Sequence, residues 1–193
     1  MTNAIVSTCG TSLLTNGASA EMRELVNRHA NDQEGEIPAE DRDAMVRWAK
    51  DRAQALSQAT AKQARGLSAE LNGILGWYAG KWHRGNRDGV HILIHSDTFA
   101  GALAAGVVAG WMREQGLTVS LIKAPKLNAK DADRFHDAMS WLAHWCQEAF
   151  PRGAYDRVVF NLSGGFKSLH GFMQALGMFY ADECVYIFER SDK

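Results

Sequence analysis

The sequence lacks the marks of several protein classes. Its three cysteines have no metal-like spacing, so they offer no disulfide framework and fit reduced thiols in a cytoplasmic protein. A formal net charge of −1 gives no basis for broad, non-specific binding to nucleic acid. The apolar run at residues 101–112 is far shorter than the ~20 residues that span a bilayer. No basic region precedes an apolar stretch at the N-terminus, as in a signal peptide. We therefore expect a soluble, cytoplasmic protein that binds neither membranes nor long nucleic acid.

What the sequence does contain is an alternation of apolar strands and amphipathic helices. Strands are predicted at residues 4–9, 90–95, 118–122, 158–160 and 184–188. Helices are predicted at 21–30, 39–65, 68–78, 99–115 and 166–180, and from a cap at Asn128 to a break at Pro151, with Gly66 ending the second helix and turns at 31–38 and 85–88. This order predicts an α/β fold, in which a mainly parallel sheet carries helices on both faces. The long span between the first two strands predicts a helical insertion, residues 31–85, within a single domain formed by residues 1–193.

The most informative segment follows the fourth strand, where residues 161–168 read NLSGGFKS. A strand that ends in glycines and turns into a helix exposes backbone N–H groups at the positive end of that helix, which suits a phosphate. Lys167 lies in the first helical turn, where the helix dipole repels a cation unless an anion lies between them. We therefore favour a ligand role for Lys167 over that of a solvated surface lysine.

A second segment of the same kind follows the first strand, where residues 9–16 read CGTSLLTN. Thr11 and Ser12 are equally suited to stabilising a turn and to contacting a ligand. Ligands bind outside the carboxyl ends of the strands in open parallel sheets, so residues 10–16, 96–98, 124–128 and 163–167 are expected to gather there. Together the two segments indicate a phosphorylated ligand.

None of three common motifs is present in full. The second loop does not match a Walker A motif, because Phe166 separates Gly165 from Lys167 and the earlier glycine is missing. The dinucleotide fingerprint G-x-G-x-x-G is absent, which disfavours a nicotinamide enzyme. A nucleophile elbow centred on Ser163 lacks its first glycine, and the downstream histidine and acids come in the wrong order. An ATPase and a Ser163 esterase are therefore minor alternatives.

The histidines and cysteines do not suggest a metal site. His91 and His95 are four residues apart on a predicted strand, where their side chains share a face but lie far apart. A metal site needs more than this, so we interpret the histidines as satisfied core or surface residues. His170 lies one helical turn after Lys167, and a helix-surface role is favoured over proton transfer. Cys9 is interpreted as a small buried residue at a strand end. No metal and no cofactor are expected.

The two loops together resemble the signature loops of the CRISPR-associated Rossmann-fold (CARF) proteins. The residues that carry the resemblance are STCGTSLLTN at 7–16, which contains the motif G-T-S-L-L, SDT at 96–98 and NLSGGFK at 161–167. The resemblance covers essentially the whole chain and implies a Rossmann-like fold. It also implies binding of cyclic oligoadenylates, the second messengers of type III CRISPR defence, across the two-fold axis of a homodimer.

No effector domain is expected within the 193 residues, so the chain resembles the standalone members called ring nucleases. These cleave the cyclic messenger and switch off the antiviral response. The resemblance implies metal-independent attack of a ribose 2′-hydroxyl on the adjacent phosphate, with cyclic tetra-adenylate as the preferred ligand. The rival interpretation is a CARF sensor that binds the ring without cutting it and regulates a separate effector.

The resemblance also assigns roles to single residues. Lys167 would neutralise the transition state, and Ser12 would bond the ribose or phosphate and fix the in-line geometry. No general base is evident in the sequence. Asp97 would bring negative charge near the phosphates. Its alternative roles are to recognise adenine or ribose, or to cap a helix. The expected ligand-binding residues are Gly10, Thr11, Leu14, Asn16, Ser96, Asp97, Thr98, Ser163, Gly164, Gly165 and Phe166.

Overall fold

The protein is built on a five-stranded parallel sheet. A computed structural model describes residues 2–78 and 89–187. The strand order is β3-β2-β1-β4-β5, and every neighbouring pair is parallel. The strands are β1 (Asn3–Cys9), β2 (Gly89–His95), β3 (Thr118–Lys123), β4 (Val158–Asn161) and β5 (Glu183–Val185). The predicted α/β fold with a parallel sheet is confirmed.

Helices connect successive strands. They are α1 (Ser12–Thr15), α2 (Ala20–Arg28), α3 (Ala39–Ser57), α4 (Ala61–Leu67), α5 (Ala69–Trp77), α6 (Phe99–Glu114), α7 (Ala132–Ala149) and α8 (Lys167–Tyr180), with a 3-10 turn at Glu34–Glu36. Helices α2 to α5 occupy the long span before β2, where additional helices were predicted. No helix in the described part of the chain has the length and apolar character needed to cross a membrane.

Two hydrophobic cores cover the two faces of the sheet. On β2, Leu93 belongs to the core formed with α3, α5 and α6, whereas Ile92 and Ile94 belong to the core formed with α7 and α8. Successive side chains of a strand point to opposite faces, so this alternation separates the two cores. Strand β1 is central, and six of its seven residues are buried. Helices on both faces were predicted and are present.

Local hydrogen bonding explains where several helices begin. The Ser68 side chain accepts from the N–H of Leu71 at the start of α5, and the Thr98 side chain accepts from the N–H of Gly101 at the start of α6. Gly116 has φ of +80°, which ends α6 in the left-handed conformation that glycine favours.

The structure corrects several predicted boundaries. Gly66 does not end a helix but lies inside α4, and the break falls at residues 58–60, where Thr60 and Gln63 form a capping box. Asp131, not Asn128, caps α7, because Asn128 instead accepts from the N–H groups of Lys130 and Asp131 in a local turn. The last strand was predicted to end at residue 188, but β5 ends at Val185, and residues 186 and 187 are not strand. Residue 188 and the predicted turn at 85–88 lie outside the described residues.

Candidate functional site

A cavity of about 340 Å³ opens at the carboxyl ends of the strands. This is where the parallel sheet was expected to bind a ligand. Nine of the residues predicted from the sequence line it: Gly10, Thr11, Ser12, Ser96, Thr98, Ser163, Gly164, Gly165 and Phe166. The first loop, the segment after β2 and the second loop therefore meet at one place.

The two glycine loops touch because β1 and β4 are neighbours in the sheet. A Cβ added to Gly10 would lie 2.9 Å from the backbone nitrogen of Gly165, so a larger residue at position 10 would push the loops apart. Gly165 has φ of +98°, a conformation that side chains other than glycine rarely adopt. The Gly164 carbonyl accepts from the Thr8 hydroxyl and lies in hydrogen-bond contact with Nε2 of His170. These contacts fix the second loop against β1.

His170 therefore has a structural role. With a proton on Nε2, the ring donates to the Gly164 carbonyl, which ties the first turns of α8 to the glycine loop. The sequence indicated only a surface histidine near the ligand. The contact depends on the loop folding back over the helix, which the spacing of six residues does not reveal.

Ser12 sits at the start of the short helix α1 and lines the cavity. Its hydroxyl donates to Oε2 of Glu70 at 2.8 Å and accepts from the N–H of Ala69 at 2.9 Å. Both partners belong to the first turn of α5, 57 and 58 residues away along the chain. The helical insertion therefore forms part of the site.

Glu70 is a site residue that the sequence did not reveal. Its carboxylate is almost fully buried, with 1% of the residue exposed, and accepts from the N–H of Gly10 at 2.7 Å and from the Ser68 hydroxyl at 2.6 Å, in addition to Ser12. A Cβ on Gly164 would lie 2.5 Å from its Cδ, so the carboxylate also packs on the second loop. Three donors satisfy the buried charge. The only local signal is a serine cap followed by an acid in the first helical turn, which is common in helices of any function.

This arrangement changes the expected location of a phosphate. The N–H of Gly10 in the first loop already donates to Glu70, an internal anion. In the second loop, no side chain of the described residues caps α8, so the first N–H groups of that helix have no side-chain acceptor. The second loop is therefore the better anion site of the two.

Lys167 is the first residue of α8, and its side chain is exposed. It does not line the cavity of the single chain. No ion pair to Lys167 is present among the described residues. Its ammonium group is thus available at the edge of the second loop but is not built into the cavity wall.

Three other predicted ligand residues lie away from the cavity. Leu14 is fully buried in the hydrophobic core, because α1 turns this side chain inward. Asn16 donates weakly to the Gly66 carbonyl at 3.4 Å and lines a separate surface cavity. Asp97 accepts from the N–H of Lys126 at 3.1 Å and lies 3.4 Å from the Lys123 ammonium. Leu14 is thus a core residue, whereas Asn16 and Asp97 lie outside the wall of the central cavity.

Burial favours the neutral forms of three titratable side chains, Cys9, His91 and His95. Burial, reinforced by the charge of Glu70, raises the pKa of the Cys9 thiol well above its ordinary value. Burial lowers the pKa of His95, whose Nδ1 bonds with the carbonyl of Ser96 at 2.9 Å. Burial also lowers the pKa of His91 to about 4, and its Nε2 lies 3.0 Å from the Tyr78 hydroxyl. The interpretation of Cys9 as a buried residue agrees with its exposure of 3%. His91 and His95, at 0% and 7% exposure, take the core position of the two that the sequence left open.

Two further cavities adjoin the central one. A cavity of about 280 Å³ shares Asn128, Ala129 and Phe166 with it and is also lined by Phe135, whose ring lies 5.8 Å from that of Phe166. A more open cavity on the other side shares Thr11 and Thr15. The recess at the strand ends is therefore longer than the central cavity alone.

Comparison with known families agrees with the resemblance to CRISPR-associated proteins, although the match does not reach the first loop. The family model described as CRISPR-associated protein (Cas_APE2256) matches residues 65–193, which are 129 of the 193 residues. The match includes Glu70, the segment after β2 and the second loop. No curated protein matches the chain.

Proposed function

The chain belongs to the CRISPR-associated protein family Cas_APE2256, and from this premise we propose that it is a ring nuclease. It binds a cyclic oligoadenylate, with cyclic tetra-adenylate preferred, and cleaves it without a metal ion. The products are linear adenylates that end in a 2′,3′-cyclic phosphate. Cleavage removes the messenger and switches off type III CRISPR signalling.

One observation carries the proposal. Ser12 and the second glycine loop line the same cavity, at the carboxyl ends of adjacent strands. A nucleotide phosphate at the uncapped N-terminus of α8 would receive backbone N–H groups, and its ribose would reach the wall that holds Ser12. This combination of an anion site and a hydroxyl-bearing wall supports chemistry on a phosphodiester.

The residues would act by position and charge. The second loop holds the phosphate that is attacked, and Lys167 swings from the surface to neutralise the extra charge of the transition state. Ser12 holds the attacking ribose in line with the bond to the leaving oxygen. Alignment of a nucleophile that the ligand itself carries supplies much of the rate enhancement.

The proposal includes a homodimer. A volume of 340 Å³ lies near the lower end of the ~300–1,000 Å³ typical of small-molecule sites, so a ring of four nucleotides extends beyond it. A two-fold axis would place two such cavities around one ring. It would also allow the exposed Lys167 of each subunit to face the ring from outside its own cavity wall.

The test is incubation of the purified protein with labelled cyclic tetra-adenylate in the presence of EDTA. Linear products with a 2′,3′-cyclic phosphate support the ring nuclease. An unchanged ring at stoichiometric protein, together with tight binding, rejects cleavage and supports a sensor. Absence of both binding and cleavage rejects the whole proposal, including the ligand class.

The sensor is kept as a second candidate because of one specific observation. Lys167 does not line the cavity, and in that position its charge stabilises no reaction there. Such a protein would hold the ring and regulate a separate effector. The EDTA assay separates the two candidates directly.

A further inference from the structure

The hydrogen bonds of Ser12 determine what its hydroxyl can offer a ligand. A serine hydroxyl has one proton to donate and two lone pairs that accept. The proton is given to Oε2 of Glu70, and one lone pair is taken by the N–H of Ala69. One lone pair remains, and Ser12 lines the central cavity.

This polarity restricts the ligand group that Ser12 can bind. A phosphate oxygen can only accept hydrogen bonds, so it cannot pair with the remaining lone pair. A ribose hydroxyl has a proton to donate and fits. The hydrogen bond between Ser12 and Glu70 cannot run the other way, because an ionised carboxylate accepts hydrogen bonds and has no proton to donate.

From this geometry, and resting on the function proposed above, we infer that Glu70 is the positioning residue that makes Ser12 a proton acceptor for the ribose 2′-hydroxyl. Glu70 serves as the final acceptor of that proton through Ser12. The pair supplies the general base that the sequence did not reveal.

The step balances without a cofactor. The 2′-hydroxyl passes its proton to Oγ of Ser12 as the proton of Ser12 passes to Oε2 of Glu70. The 2′-oxygen forms a bond to the adjacent phosphorus, and the bond from phosphorus to the 5′-oxygen breaks. The 5′-oxygen leaves with a proton from water, and Glu70 later returns its proton to solvent through Ser12.

The other titratable groups beside the cavity are poorly suited to this task. The Cys9 thiol is buried next to the Glu70 charge and stays protonated. The His170 Nε2 is engaged by the Gly164 carbonyl, and the His95 Nδ1 by the Ser96 carbonyl. Glu70 differs from all three because a hydrogen bond links it to a hydroxyl on the cavity wall.

Glu70→Gln is the direct test, because the amide keeps the shape and reverses the polarity. With the amide oxygen on the Gly10 N–H, its NH₂ faces Ser12 and Ser68, so Ser12 no longer has a proton acceptor. We expect the single-turnover rate of cyclic tetra-adenylate cleavage to fall by at least ~10²-fold, the usual effect of losing general acid–base catalysis. The Kd for the ring should change by less than about tenfold, since one hydrogen bond is exchanged.

Thr60→Ala is the matched control. It removes the side-chain cap of the neighbouring helix α4, and the Thr60 hydroxyl bonds with Gln63 of that helix and does not line the cavity. It should lower the thermal midpoint and leave the cleavage rate within about threefold. If the Glu70 contact were only structural, the two variants would lose activity in proportion to their losses of stability.

The solvent isotope effect gives a readout that a structural role would not change. The wild-type single-turnover rate should fall in D₂O, because two protons move in the proposed step, and Glu70→Gln should show a smaller fall. Equal rates or equal isotope effects in the two proteins would overturn the inference and leave the ring nuclease standing. If Glu70→Gln does not fold, a wild-type rate that is the same in H₂O and D₂O would overturn it. A wild-type protein that does not cleave the ring overturns both proposals.

Discussion

Replacement of Gly73 by alanine should destabilise the protein, although the same change stabilises most exposed helices. Gly73 is buried in the middle of α5. An added Cβ would overlap Oδ1 of Asn161 and lie 2.5 Å from Oγ of Ser163. Asn161 is the last residue of β4 and Ser163 lies in the loop that follows it, so the substitution acts on the candidate site as well as on the helix.

The expected size follows from what must move. The Asn161 amide donates to Oγ of Ser7 and to the carbonyl of Glu70, both at 3.1 Å, and accepts from the N–H of Ser163. Overpacking of a core typically costs ~1–3 kcal/mol, and a buried amide that loses a partner costs ~1–3 kcal/mol more. Alanine has a higher helix propensity than glycine, which offsets this loss of stability by about 1 kcal/mol. The net loss should therefore be about 3 kcal/mol, or a fall of ~6–12 °C in Tm for a chain of this size.

The assay is thermal and urea unfolding of Gly73→Ala beside Gly106→Ala. Gly106 lies inside α6, and an added Cβ there meets no atom within 4 Å. That control should gain about 0.5–1 kcal/mol, because alanine favours the helix. A Gly73→Ala protein as stable as the wild type would show that Gly73 of α5 does not pack tightly against Asn161 and Ser163, and would refute the reasoning.

Two further predictions concern single charged groups. Lys167→Ala should lower the cleavage rate about 10²-fold, as loss of one preorganised charge contact does. Lys50→Ala, an exposed control on α3, should leave the cleavage rate unchanged. Near-normal cleavage by Lys167→Ala would remove Lys167 from the mechanism. Burial alone would lower the pKa of His29, but hydrogen bonds to Asp32 and Asp41 outweigh it and raise that pKa. The stabilisation is thus complete below the unfolded pKa of about 6.5 and is lost as pH rises through the higher folded pKa. In urea unfolding, His29→Gln should cost about 2 kcal/mol at pH 5.5 and less at pH 9, whereas equal losses at both pH values would contradict this assignment.

Much of the fold was predictable because its signals are local. Strands β1, β2 and β4 are short apolar runs that end in glycine or polar residues, and burial on both faces requires such runs. Helix boundaries were less certain. The break at residues 58–60 and the cap at Asp131 depend on which of several suitable side chains accepts from the first backbone N–H groups of the helix.

The candidate site was predictable in its location and only partly in its members. Parallel strands bring their carboxyl ends to one edge, so the meeting of the two glycine loops follows from the order of the elements. The phase of α1 decides that Ser12 faces the cavity while Leu14 enters the core. A helix of four residues is too short for its hydrophobic pattern to predict which side chains face the cavity and which face the core.

The sequence by itself therefore determined the alternation of strands and helices, the glycine turns and the family they resemble. Each of these depends on residues close together in the chain. Only the tertiary structure decided that Glu70, brought to Ser12 across 58 residues, takes the N–H that a phosphate was expected to use. A buried carboxylate must find donors wherever the folded chain supplies them, and no local pattern records which donors those are.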